Sequence, residues 1–355
     1  MAGNSTMRRG RLMLRAALPV LIGLAVTAWL FCDEMKDGDL DGITFTPRMW
    51  AGFGLAWLFM AGRDLGLTWR FHTIAWPQLS WRRALRVDLM CAFTSAITPS
   101  AVGGSAFAIF YLNREGVSLG RATTLTLTTL LLDELFFVVF CPIILLIVPL
   151  HELFGSAARG AAFTEGGEVV FWLVYAGIVV WTAILFMGII VRPQAVARGL
   201  RRLFMLRILR RWRRGAFTTA ANMVQASAEL RTVGRRWWLN VFGATVLSWF
   251  SRYLIVNALF WGFVPEASGL MVFARQFVVW VLLMVSPTPG GSGVSEWLFT
   301  EYYGDLMYTP GMALLIAVAW RIVSYYIYLV IGSLLLPSYF AGSGRGHNNK
   351  DTHNG

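Results

Sequence analysis

The stretch Ser286–Phe299, SPTPGGSGVSEWLF, lies inside an apolar region yet carries two prolines and three glycines. Proline removes a helix donor and clashes with the preceding turn, and glycine costs backbone entropy, so a continuous helix is very costly there. Irregular backbone in lipid is tolerated only where protein or a wet cavity covers it. The pattern predicts a re-entrant hairpin: one half-helix ends before Pro287, a loop turns near mid-membrane, and a second half-helix starts around Val294. Free N–H groups on such a loop, with the positive end of the new helix, suit an anion such as a phosphate headgroup.

A second stretch, Ser95–Phe107 (SAITPSAVGGSAF), again sets Thr-Pro and paired glycines between short apolar segments. Two broken segments in corresponding positions of two halves point to a transporter built from inverted repeats. The blander reading makes both of them kinks or water-exposed loops between ordinary spans.

Only 14% of the 355 residues are charged and 57% are hydrophobic, where soluble domains carry about 25% charged residues. The fold class is therefore an all-α polytopic membrane protein. The net charge of +12 does not argue for nucleic acid, because the arginines crowd into a few loops in the positive-inside pattern. Cys32, Cys91 and Cys141 have no metal or disulfide spacing. Arg8, Arg9, Arg11 and Arg15 precede an apolar run with no small-residue cleavage site, so a retained first helix is expected.

In chain order, full spans are expected at about residues 16–32, 50–69, 120–150, 169–191, 238–263 and 311–336. Two hairpins, about 87–113 and 270–303, enter from opposite faces. The loop after Cys32 is acidic and belongs outside; Arg70, Arg82, Arg83 and Arg86 mark a cytoplasmic loop, and both termini are cytoplasmic. Arg63 and Asp64 are adjacent, about 100° apart on a helix, and are expected to find separate partners near the inner interface. Residues 1–191 form the first membrane half and 237–340 the second. Between them, 192–236 reads as a basic amphipathic cytoplasmic linker, with RGLRRLFMLRILRRWRRGAF lying on the inner leaflet. The Gly-rich polar tail, 341–355, is expected to be disordered.

A charge at the bilayer centre costs at least about 2.5–3.5 kcal/mol, so it is usually paired or lines a wet path. Asp133, Glu134, Arg252 and Arg321 fall near mid-depth, and Glu296 just after the second glycine loop. Glu296 is placed to cap its own half-helix or to act in a cavity. Arg252 and Arg321 either pair with the acids or hold a lipid phosphate, aided by Thr98, Pro99, Gly103 and Gly104 of one loop and Thr288, Pro289, Gly290 and Gly291 of the other. Asp133 and Glu134 diverge by about 100°, so one of them is expected to face the cavity. No Ser/His/Asp set, metal cluster or P-loop occurs in the sequence, so no enzyme activity, metal or cofactor is expected.

At TPSAVGG (98–104) followed by LNREG (112–116), LLLDELFF (130–137), TPGGSGVSE (288–296) and WRIVSYYIYLVIG (320–332) the chain resembles the transmembrane, flippase-like family named after lysylphosphatidylglycerol synthases. The resemblance implies movement of aminoacylated phosphatidylglycerol between leaflets. The family's first motif commonly carries a Glu after its Gly and an Arg shortly beyond; here Ser105 and Ile109 stand at about those places. The soluble aminoacyl-transferring domain is not in this sequence, so lipid aminoacylation is not expected. The expected function is translocation of an anionic phospholipid or lipid-linked headgroup in the cytoplasmic (inner) membrane, with membrane lipid as partner. A homo-oligomer or an envelope-enzyme partner is compatible with the pattern. The rivals are an ion-coupled small-solute transporter using the same hairpins and a non-transporting scaffold for an envelope enzyme. With no nucleotide site in the sequence, movement would run downhill or be coupled to an ion or proton gradient.

Overall fold

The computed structural model describes residues 45–98, 103–154, 161–203, 205, 213–286, 288, 291 and 293–341. The expected first span, the acidic loop after it and the tail beyond 341 lie outside the described residues.

Every regular element among the described residues is helical. In order they are α1 (Pro47–Ile74), α2 (Trp81–Ile97), α3 (Gly103–Arg114), α4 (Leu119–Ile147), α5 (Leu150–Leu153), α6 (Ala161–Phe186), α7 (Pro193–Leu203) and α8 (Arg213–Thr232). They continue with α9 (Arg235–Phe263), α10 (Gly269–Leu283), α11 (Val294–Tyr303), α12 (Pro310–Arg321) and α13 (Ile327–Ala341). A π turn, Met187–Val191, extends α6, and another, Ile322–Tyr326, joins α12 to α13.

Local chemistry explains the boundaries. Thr46 and Thr309 each precede a proline at the first helical position, and each side chain accepts from the backbone N–H three residues on. Thr98 also precedes a proline; its backbone is extended and it closes α2. Gly116, at φ 102°, stops α3: its own N–H reaches the Asn113 carbonyl and that of Val117 the Leu112 carbonyl.

Among the described residues four stretches are long and apolar enough to cross a membrane: Leu119–Ile147, Gly166–Val191, Arg235–Phe263 and Gly311–Leu336. Large apolar side chains on them point outward, Leu146 being 87% exposed and Leu334 74%, which suits hydrocarbon and not water. α1 matches them in length but carries Arg63, Asp64 and Arg70. The basic stretch at 198–217 is not one helix: it spans the end of α7, residues partly outside the description, and the start of α8. α8 packs on α7 and along the start of α4, where Arg121 pairs with Glu229 at 3.0 Å.

The broken segments form two helical hairpins. Arg83 and Arg86 at the start of α2 reach Glu115 just past α3, at 3.6 and 3.5 Å. In the other hairpin Gln276 of α10 donates to the Tyr303 hydroxyl of α11 at 2.7 Å, and that hydroxyl donates to the Val272 carbonyl at 3.0 Å. Buried Arg275 fastens the same end, donating to Asp305 and to the carbonyls of Glu152 and Tyr302. Close by on the chain, Tyr308 donates to Glu266, and this bond holds the Glu266 carboxyl below the usual carboxylate range. The 15 residues of α10 and 10 of α11 extend about 22 and 15 Å at 1.5 Å per residue, short of a hydrocarbon core of about 30 Å.

The most extensive contact joins α1 to α9. Gly52 faces Ala258 and Gly262, Gly62 faces Ser251, and Gly66 faces Ala244 and Ser248, so the two helices run antiparallel. A Cβ at Gly66 would lie 2.8 Å from the Ala244 carbonyl oxygen and 2.8 Å from the Ser248 nitrogen. Both neighbours are backbone and cannot step aside. Replacing Gly66 by Val is expected to destabilise the detergent-solubilised protein by about 1–3 kcal/mol, whereas Gly54→Ala, which meets nothing within 4 Å on the same helix, leaves the melting temperature unchanged. Equal melting curves for the two variants would show that the α1–α9 contact is not tight.

Candidate functional site

A cavity of about 210 Å³ lies where the two helix breaks meet α1, α9 and the joined α12–α13. Ser95 and Ala96 close it from the end of α2, and Leu283, Ser286, Thr288, Gly291 and Ser295 from the second break. Arg63 and Met60 come from α1, Arg252 from α9 and Trp280 from α10. The remaining wall is one helical face, Trp320, Arg321, Ser324, Tyr325 and Tyr328. The π turn Ile322–Tyr326 lies within this face, and such local widenings of a helix are frequent at functional sites.

Among the described residues the three charged side chains of the lining are all arginines, and each is held differently. Arg63 donates to its neighbour Asp64 at 2.6 Å and lies 5.0 Å from the centre of the Tyr328 ring, whose hydroxyl also donates to Asp64 at 2.6 Å. The separate partners expected for these adjacent residues are not found; the side chains reach along the helix to each other. Arg321 places its Nε 2.9 Å from Glu296 and its guanidinium over Tyr325. That N–H does not point at the oxygen, so the contact is one of charge and not a hydrogen bond. The other Glu296 oxygen accepts from the Gly293 backbone and the Ser295 hydroxyl, both at 2.8 Å. Glu296 thus caps α11 and faces an arginine at once. Gly293, at φ 81°, supplies the left-handed turn that makes this possible.

Arg252 is different. Its guanidinium sits between two indoles, 4.8 Å from Trp249 and 4.7 Å from Trp280. Among the described residues it has no hydrogen bond and no ion pair. The buried indole N–H of Trp280 is likewise without an acceptor. Two donors with nothing to donate to, in a cavity with no carboxylate among its described lining residues, are what an anion requires.

The acids of α4 do not join this cavity. Asp133 is held by Arg70, at 2.6 and 3.1 Å, and accepts from the Trp249 indole at 2.9 Å. Arg70 itself is buried on α1 and does not lie in a loop. Neither Asp133 nor Glu134 lines the cavity, and one Glu134 oxygen is buried with no hydrogen-bond partner. Thr98 closes α2 and donates back to Thr94 at 2.6 Å, outside the lining. Gly103 and Gly104 open α3, while Pro99, Pro289 and Gly290 lie outside the described residues. Of the residues singled out in the sequence, Arg252, Arg321, Thr288 and Gly291 meet in the cavity, with Glu296 behind them. Arg63 and Trp280 were not foreseen. Arg63 lies on the helical face that also carries Met60, a spacing that could have put it inside.

A larger groove, about 630 Å³, opens between α4, α6, α8 and α9. Its lining is apolar apart from Thr182 and Arg231, and Arg231 already donates to the Val191 carbonyl at 2.7 Å. It lacks the convergent polar groups of a recognition site.

Long apolar helices, two helical hairpins broken inside the bundle and an arginine-lined interior cavity define a multi-pass helical membrane protein. The chain belongs to the lysylphosphatidylglycerol synthase TM region family, whose model matches residues 14–332. A UPF0104 membrane protein of Archaeoglobus fulgidus is 21% identical over 324 residues, covering 89% of this chain and 94% of the relative. The resemblance seen in the sequence motifs therefore holds over nearly the whole chain.

Breaking a buried ion pair costs about 3–5 kcal/mol, because the surviving charge is stranded. Arg70→Met is expected to lower stability on that scale, and Arg70→Met/Asp133→Leu to recover most of the loss. Thermal melts of the single and double variants measure this; additive losses would mean that the two residues are not coupled.

Proposed function

We propose that this protein moves an anionic phospholipid, or a lipid-linked headgroup, between the leaflets of the cytoplasmic membrane. The observation that carries the reading is the cavity: Arg63, Arg252 and Arg321 are its only charged lining residues among those described, and Arg252 has aromatic neighbours but no counter-ion. The phosphate would sit against Arg252 and the Trp280 N–H, with Arg63 and Arg321 contributing field from their paired positions. A cavity of about 210 Å³ suits a headgroup and leaves the tails in lipid. The apolar groove beside α4 and α6 is suited to acyl chains.

The architecture fits this use. Long helix, broken pair, long helix occurs twice, as α1, α2–α3, α4 and again as α9, α10–α11, α12–α13. Antiparallel contact of α1 with α9 is what an inverted repeat needs, and in such transporters the site lies at the repeat interface. We read α2–α3 and α10–α11 as re-entrant hairpins, with the arginine-rich end of the bundle and both termini in the cytoplasm. The reading assigns the chain no catalytic chemistry.

The test is leaflet exchange in reconstituted vesicles of neutral phosphatidylcholine carrying a trace of fluorescent phosphatidylglycerol. Dithionite added outside is expected to bleach the inner-leaflet probe rapidly when the wild-type protein is present, and a fluorescent phosphatidylcholine much more slowly. Arg252→Gln removes charge-assisted hydrogen bonds worth about 1.5–3 kcal/mol and is expected to slow exchange tenfold or more. Bleaching no faster than in protein-free vesicles, or equally fast in Arg252→Gln, would overturn the proposal.

A further inference from the structure

Trp249 stands between Arg252 and the ion pair of α1 and α4. Its ring centre lies 4.8 Å from the guanidinium of Arg252, one turn further along α9, and its N–H donates to Asp133 at 2.9 Å. The oxygen that accepts this bond, Asp133 Oδ1, also accepts from Arg70 at 2.6 Å, while Oδ2 accepts from the other terminal nitrogen of Arg70 at 3.1 Å. Arg70 donates in addition to the Thr245 hydroxyl at 3.3 Å, one turn before Trp249 on α9. The carboxylate is therefore held in place by contacts of its own before it meets the indole.

The helix that carries Asp133 also grips the apolar part of the ring. Phe136 lies nearly parallel to Trp249, with centres 5.5 Å apart and 14° between the planes, and Phe137 meets it at 75° and 4.8 Å. Both phenyl rings are fully buried. Stacking sets the plane of the indole, and the directional N–H bond to Asp133 sets its rotation within that plane. Trp280 completes the enclosure, perpendicular to Trp249 at 5.6 Å and with its ring centre 4.7 Å from Arg252. An arginine without a carboxylate partner depends on such walls to keep one rotamer. Fixing a long side chain costs conformational entropy, and an anion that must order it binds more weakly than one that finds it ordered.

We propose that Asp133 is a positioning residue of the anion site: through the Trp249 N–H it fixes the indole that holds Arg252, so that an anion finds the guanidinium already in place. The carboxylate lies outside the cavity lining and its charge is met by Arg70, so its part is geometric. This inference rests on the anion-site reading above.

The experiment measures, by calorimetry, the binding of dihexanoylphosphatidylglycerol to the full chain in nanodiscs of neutral phosphatidylcholine. Trp249→Phe keeps an aromatic face beside Arg252 and removes the N–H. Arg70→Met/Asp133→Leu removes the acceptor and, because both charges go together, leaves the net charge near Arg252 unchanged. Each is expected to bind the probe about two- to tenfold more weakly than the wild type, and the double variant does so although it keeps most of its thermal stability. In an Arg252→Gln background Trp249→Phe is expected to weaken binding no further, since the residue it positions is gone. A purely structural role predicts instead that a variant of near wild-type stability binds like the wild type. Wild-type affinity in Trp249→Phe or in the double variant would overturn the proposal, as would a full further loss in the Arg252→Gln background. Where the double variant does not fold, Trp249→Phe decides. No binding of the probe by the wild-type chain would refute the anion site itself, and this inference with it.

Discussion

The close antiparallel contact between α1 and α9 is the constraint on which the rest depends. Lipid tails are as apolar as leucine, so helices in a membrane gain little from burying apolar faces and associate through tight packing and polar contacts. Gly52, Gly62 and Gly66 on one helix and Ala244, Ser248, Ser251, Ala258 and Gly262 on the other let the backbones approach closely. The same contact sets α1 and α9 side by side in the wall of the cavity. It also brings Arg63 of α1 and Arg252 of α9 onto one cavity. Separating these helices by one side chain would dismantle both effects together.

Burying so many charges is tolerable because most are matched within reach. Arg70 spans α1 and α4 to Asp133, Arg275 fastens the far end of the second hairpin, and Arg321 faces Glu296. Each pair offsets a desolvation cost that neither partner could bear alone. Arg252 departs from this rule, with indole faces in place of a carboxylate. Cation–π contact contributes about 2 kcal/mol when desolvated, too little to replace water and a counter-ion. An arginine left short in this way is well placed to take an anion, and that deficit is the centre of the proposed function.

Much of the fold was legible because local chemistry wrote it. Thr-Pro marks four places: at Thr46 and Thr309 it opens a helix, and at Thr98 and Thr288 it falls in a break. The breaks, the stop at Gly116 and the start of α11 at Val294 follow from steric rules that act within a few residues. Partner choice does not. Arg70 reads as one more cytoplasmic arginine, beside Arg82, Arg83 and Arg86, until α4 is seen to run beside it. The expectation that Asp133 or Glu134 faces the cavity failed for the same reason: a residue's depth in the bilayer can be counted along a span, but the neighbour it meets depends on packing between spans. The glycine stripe at Gly62 and Gly66 carried a readable small-xxx-small signal, which the louder glycines of the breaks obscured.

The second break also shows why a helix start is not by itself an anion site. Free N–H groups at the head of α11 invite a negative charge, but Glu296 already supplies one, accepting from Gly293 and Ser295 within its own first turn. An incoming phosphate would have to displace a carboxylate that is tethered, oriented and also faced by Arg321. Arg252, one wall away, has no such competitor. The backbone of the break therefore shapes the cavity and positions Glu296, and in the proposed function the anion is held by side chains, Arg252 of α9 and Trp280 of α10.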